Sequence, residues 1–116
     1  MNTPYLSVVI PTYNEKDNIS KIIEKLNEGL KDTTFDIIFV DDNSPDGTSS
    51  EVKALMKNSK NIHLIHRIGR RGLSGAVIEG IFSANSELVA VMDCDLQHDE
   101  AKLSNMMDLF SSHTAL

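Results

Sequence analysis

The sequence holds no tryptophan, a single cysteine and no apolar run longer than about five residues. Each scarcity excludes something. One cysteine rules out an internal disulfide and fits a reducing compartment such as the cytoplasm. Apolar runs this short fall far below the roughly 20 residues that a membrane-crossing helix needs, so no transmembrane segment is expected. The opening MNTPYLSVVIPT has neither a basic n-region nor a long apolar h-region and does not read as a signal peptide. Positive charge is also short: 11 Lys and Arg against 17 Asp and Glu leave a net charge of −6. That balance argues against general nucleic-acid binding through the phosphate backbone. What remains is the composition of an ordinary folded domain. Over 116 residues, 41% are hydrophobic and 24% charged, too apolar for a disordered chain and enough for one core.

Short apolar runs alternate with helical patterns, and no internal repeat is evident. LSVVI, residues 6–10, predicts a strand closed by Pro11. Ile19, Ile22, Ile23, Leu26 and Leu30 recur at helical spacing and predict an amphipathic helix from about 15 to 31. FDIIFV (35–40) is the second strand. The helix after DDNSPDGT puts Val52, Leu55 and Met56 on one face, and Thr48 with Glu51 has the spacing of a capping box at its start. NIHLIH (61–66) is the third strand, followed by a helix in GLSGAVIEGIFSA (72–84) with Ser74 as candidate N-cap. Gly75, Ala76 and Gly80 lower its helix propensity, which implies close packing against another element. ELVAVM (87–92) is the fourth strand, and Leu103, Met106, Met107 and Phe110 predict a last helix from about 99 to 111. The order βαβαβαβα with apolar strands predicts an α/β fold, a three-layer α/β/α arrangement around a mostly parallel sheet.

Right-handed crossovers bring the carboxyl ends of parallel strands to one edge, where ligands of open α/β sheets bind. All four strands leave through polar sequence: PTYNE, DDNSPDGT, RIGRRG and DCDLQHD. Together these offer carboxylates, an aromatic ring, arginines and flexible glycines, an inventory suited to an anionic ligand carrying a ring and a metal ion. Arg67, Arg70 and Arg71 all fall in RIGRR while the eight lysines are scattered. The cluster reads either as an anion contact or as a solvated loop. No glycine follows the first strand, so the GxGxxG fingerprint is absent, and no GxxxxGK(S/T) occurs. Phosphates bound here must therefore be neutralised by a metal and the arginines. Asp93, Asp95 and Gln97, at i, i+2 and i+4, share one face if the strand exit stays extended. Three oxygen donors on one face suit Mg²⁺ or Mn²⁺. Cys94 would point the other way as a small filler, because a thiolate favours a softer metal. The competing reading makes the aspartates helix caps, a role Asp99 could fill instead. His63, His66, His98 and His113 read as surface or core residues rather than catalysts.

In this order, PTYNE, VDDNSPDGT, GRRGLSGA and MDCDLQHDE resemble the family 2 glycosyltransferases with a GT-A fold. More narrowly they resemble the branch that moves a sugar from a nucleotide donor to a polyprenyl phosphate, as dolichol-phosphate mannose synthases do. The resemblance covers about residues 5–110. It implies that Pro11, Tyr13 and Glu15 surround the base and ribose, and that Val40 and Asp42 hold the nucleoside. Gly72 would lie against the nucleotide, as would the Asp93–Cys94 segment. Asp93, Asp95 and Gln97 would surround Mg²⁺ or Mn²⁺ on the diphosphate, with Asp93 and Asp95 as catalytic candidates. Arg70 and Arg71 match a basic loop with phosphate contacts.

The implied reaction is displacement at the anomeric carbon of a UDP- or GDP-linked sugar, with the metal drawing charge from the leaving diphosphate. A phosphate acceptor is already an anion and needs little general-base help. Family members are considerably longer, and their second half supplies the acceptor-binding face. Residues 1–116 are thus expected to be the N-terminal, nucleotide-sugar-binding part of a truncated catalytic domain, binding nucleotide weakly and without turnover alone. The full-length parent would work at the cytoplasmic face of a membrane, without nucleic acid, and self-association as a homo-oligomer stays open. Two rivals stand beside this reading. One is a phosphohydrolase or phosphotransferase with Asp93 as nucleophile and Asp95 as acid/base, although such enzymes usually carry the motif after their first strand. The other is a non-catalytic nucleotide-binding module.

Overall fold

The computed structural model describes residues 4–68, 72–92 and 94. Strands β1 (Leu6–Thr12), β2 (Phe35–Asp41), β3 (Ile62–His66) and β4 (Leu88–Val91) alternate with helices α1 (Ile19–Gly29), α2 (Thr48–Met56) and α3 (Leu73–Ser83). The strands pair in parallel in the order β3-β2-β1-β4. This is the expected α/β fold. The helix expected over about 99–111 lies outside the described residues.

Strand order dictates which face each helix covers. The chain steps outward from β1 to β2 to β3, so right-handed crossovers place α1 and α2 on one face. It then crosses back to β4, and α3 falls on the other. Side chains follow the pleat accordingly. Leu6, Val8 and Ile10 of β1 and Ile37 and Phe39 of β2 meet Ile19, Ile22 and Leu26 of α1 and Val52 of α2 in the larger core. Val9, Ile38 and Val40 meet Ala76 of α3 in the smaller one. The order reverses between β1 and β4, which makes their carboxyl ends the switch point of the sheet.

The small residues of α3 do what their propensity cost implied. A Cβ at Gly80 would overlap Val9 Cγ1 and lie 3.2 Å from Val40 Cγ2, so only glycine lets the helix come this close. Helix starts differ from expectation. A 3₁₀ turn at Lys16–Asn18 precedes α1, which begins at Ile19 rather than near 15. The capping box at Thr48 does not form: Thr48 is the first helical residue after Gly47, and its N–H and hydroxyl both donate to Asp46. Nor is Ser74 a cap, since α3 already begins at Leu73. In each case the loop before the helix is drawn toward partners elsewhere on the sheet edge.

Candidate functional site

β1 and β2 end side by side, with Thr12 opposite Asp41, so PTYNE and DDNSPDGT emerge as neighbouring loops. Each turns through an asparagine in the left-handed region, Asn14 at φ 57° and Asn43 at φ 56°, which this side chain tolerates better than most. The loops are then laced together. The N–H of Asn14 donates to Ser44 Oγ at 2.8 Å, that of Glu15 to Thr48 Oγ1 at 3.1 Å, and that of Lys16 to Asp46 Oδ2 at 3.1 Å. Three successive N–H groups that could have cradled a phosphate are thereby committed to side chains of the second loop.

Asp41 and Asp42, adjacent in sequence, turn to opposite faces. Asp41 is fully buried and accepts from Thr12 Oγ1 and Ser49 Oγ, both at 2.8 Å, from Ser44 N–H at 3.0 Å and from Ser44 Oγ at 2.5 Å. It ties the end of β1, the second loop and the first turn of α2 into one unit. Asp42 faces α3. Its Oδ2 accepts from the N–H of Gly72 at 3.2 Å, and its Oδ1 lies 3.4 Å from Arg67 Nε. Both of those last atoms are buried, and neither completes a hydrogen bond among the described residues.

Arg67 corrects the anion-contact reading for one member of RIGRR. It is buried, 3.5 Å from Glu79, and its Nη1 donates to the Gly72 carbonyl at 3.2 Å. This guanidinium serves the protein's own carboxylates. Arg70 and Arg71 lie outside the described residues.

Of the other candidates, Tyr13 is exposed at the mouth of the first loop rather than part of the core. Pro11 is half-buried opposite Val40. Glu15 is half-buried and accepts from Asn18 Nδ2 at 2.9 Å. Gly72 is exposed beside Asp42. Val40 is fully buried beneath α3, so its side chain supports the floor of the site. Cys94 is buried in the larger core with Met92, which agrees with a filler side chain. Asp93, Asp95 and Gln97 lie outside the described residues. β4 ends at the switch point, where the Met92 N–H donates to the Val9 carbonyl at 3.0 Å. Among the described residues, no group of three or more His, Cys, Asp or Glu could hold a metal. The histidines stay apart: His63 sits 3.1 Å from Asp36 and His66 3.1 Å from Asn43.

Among the described residues, Asp46 stands out for its acidity. Desolvation pushes its carboxyl up, but hydrogen bonds from the Thr48 hydroxyl and from the N–H groups of Lys16 and Thr48 outweigh this and hold it below the ordinary 3.8. Sequence reasoning named Arg67 but not its buried place beside Asp42 and Glu79, and it missed the Asp41 network. The alternation of side chains at a strand end was the available signal for the second, since it sends neighbouring aspartates to different faces.

A parallel sheet covered on both faces, with acidic loops gathered at the carboxyl ends of β1 and β2, is an α/β framework shared with GT-A glycosyltransferases. The structure matches a mannosyltransferase from Pyrobaculum calidifontis in complex with GDP-Man and Mn²⁺ with a TM-score of 0.67 and 28% identity, over 82% of this chain and 28% of that one. It matches S. aureus TarS 1–349 with a TM-score of 0.71 and 24% identity, over 93% of this chain and 32% of that one, a likeness of fold alone. The model of glycosyl transferase family 2 matches residues 7–116, and the chain belongs to that family. Two relatives are dolichol-phosphate mannosyltransferases. That of Saccharomyces cerevisiae is 37% identical over 110 residues, covering 92% of this chain and 41% of the yeast protein. That of Pyrococcus furiosus is 35% identical over 103 residues, covering 89% of this chain and 29% of its own length. The chain thus spans less than half the length of these relatives. No helix among the described residues is long and apolar enough to cross a membrane.

Proposed function

We propose that residues 1–116 are the donor-binding part of a glycosyltransferase that moves a sugar from a UDP- or GDP-linked donor to a polyprenyl phosphate, assisted by Mg²⁺ or Mn²⁺. One observation carries this reading. The N–H groups of Asn14, Glu15 and Lys16 are committed, while Asp41, Asp42 and Asp46 gather at the same sheet edge. A diphosphate entering that edge would be repelled unless a cation came with it. Asp93, Asp95 and Gln97, the oxygen donors that follow β4 in sequence, fit a hard cation and would hold it there. When bound, that ion lowers the charge on the departing nucleoside diphosphate.

The remaining roles belong to side chains of this chain. Tyr13 offers an exposed ring for the base, and Glu15 lies beside it in the same loop. Asp42 accepts hydrogen bonds from the nucleoside while Gly72 lets backbone approach it. Arg70 and Arg71 would meet phosphate oxygens. A polyprenyl phosphate attacks as an anion, so no strong base is needed from this part. Relatives that are dolichol-phosphate mannosyltransferases support the acceptor class, and the likeness to a mannosyltransferase complexed with GDP-Man and Mn²⁺ supports donor and metal. The rest of a longer parent would hold the acceptor at the cytoplasmic face of a membrane.

Calorimetric titration with GDP, UDP and their sugars, with and without Mn²⁺, tests the proposal on this chain and on a longer parent. Metal-dependent binding that weakens at least about tenfold in Asp95→Ala is expected. Absence of binding in every combination would overturn it. A covalent aspartyl-phosphate at Asp93 would transfer the assignment to a phosphotransferase.

A further inference from the structure

We propose that Arg67 is a positioning residue of the donor site, fastening the loop after β3 to Asp42 and thereby aiming the Asp42 carboxylate. The inference rests on the donor-site reading above. Arg67 is the first residue beyond β3, and its own N–H is anchored to the Asp41 carbonyl at 2.8 Å. Its side chain is 4% exposed. A buried guanidinium persists only where carboxylates and carbonyls meet it. Here Asp42 Oδ1 lies at 3.4 Å, Glu79 Oε1 at 3.5 Å and the Gly72 carbonyl at 3.2 Å.

The consequence falls on Gly72. Its N–H donates to Asp42 Oδ2 at 3.2 Å and its carbonyl accepts from Arg67, so the residue is clipped between the two. Its φ of 127° is open to glycine and strained for other residues. Gly75 then makes room for the fork: a Cβ there would stand 2.8 Å from Arg67 Nη2 and 3.3 Å from Nη1. Both glycines of GLSG therefore accommodate Arg67. The Asp42–Arg67 contact, at 3.4 Å, does not make a well-formed hydrogen bond, and neither atom completes another among the described residues.

Mn²⁺-dependent binding of GDP and UDP, measured beside thermal unfolding, tests this on the whole chain. Arg67→Met should weaken binding about tenfold in the wild-type background but less than about twofold in Asp42→Asn, because a residue acting through Asp42 has nothing left to position. Arg67→Lys keeps the charge without the fork, and should recover the melting temperature while leaving an affinity loss of about fivefold. Gly75→Ala displaces the fork without removing it and should lower affinity likewise, which keeps the test decisive if Arg67→Met fails to fold. Wild-type affinity in folded Gly75→Ala, full recovery by Arg67→Lys, or additive losses in the double variant would each overturn the proposal. A wild-type protein that binds neither nucleotide fails at the earlier step and takes down the donor-site reading with it.

Discussion

The two faces of the sheet's carboxyl edge treat a carboxylate differently, although only one peptide bond separates them. Around Asp41 the contacts are short, between 2.5 and 3.0 Å, and come from Thr12, Ser44 and Ser49. Around Asp42 they stretch from 3.2 to 3.4 Å, and two buried atoms complete no hydrogen bond among the described residues. Hydroxyls and N–H groups that satisfy a carboxylate fully leave it nothing to offer a ligand. The first face holds the loops in place, and the second retains capacity for a partner. Neighbouring aspartates thus divide into a fastener and a candidate contact.

Substitutions should break this contrast unequally. The largest effect is expected from Asp41→Ala, which removes the acceptor of four hydrogen bonds in a fully buried position. A loss of about 3 kcal/mol or more is expected by urea denaturation, since buried donors are left unpaired. Gly80→Ala comes next, at about 2 kcal/mol, because α3 must back away from Val9 and Val40. Asp42→Asn should cost only about 1 kcal/mol, as Glu79 still faces Arg67, and equal losses for the two aspartates would erase the distinction drawn between them.

The smallest effect concerns Asp46. Its folded pKa lies below 3.8, so its ionised form adds stability above that value and loses it as pH falls through the lower folded value. Asp46→Asn should therefore be slightly less stable than wild type near neutrality and indistinguishable well below pH 3.8 in parallel thermal melts. A difference that persists in acid would sever the link to this carboxylate.

Much of the fold was legible because its signals are local. Ile19, Ile22 and Leu26 carry a helical period, LSVVI and FDIIFV read as buried strands, and Gly80 marked a close approach before its neighbour was known. Capping was misread at Thr48 for the opposite reason. Its hydroxyl is claimed by Asp46 and by the N–H of Glu15, 33 residues away in sequence, a competition that no local pattern records.

The site divides along the same line. Sequence alone determined that four polar loops would share one sheet edge, since βαβ crossovers have one hand and parallel strands all end together. It also determined that no glycine-rich phosphate cradle follows the first strand. Only the tertiary structure decided which aspartate of the pair is sealed in, that Arg67 turns inward, and that the backbone of the first loop is already occupied. Those outcomes depend on hydrogen bonds and buried charges meeting across 30 or so residues, where a few tenths of an ångström separate a satisfied carboxylate from one with capacity left.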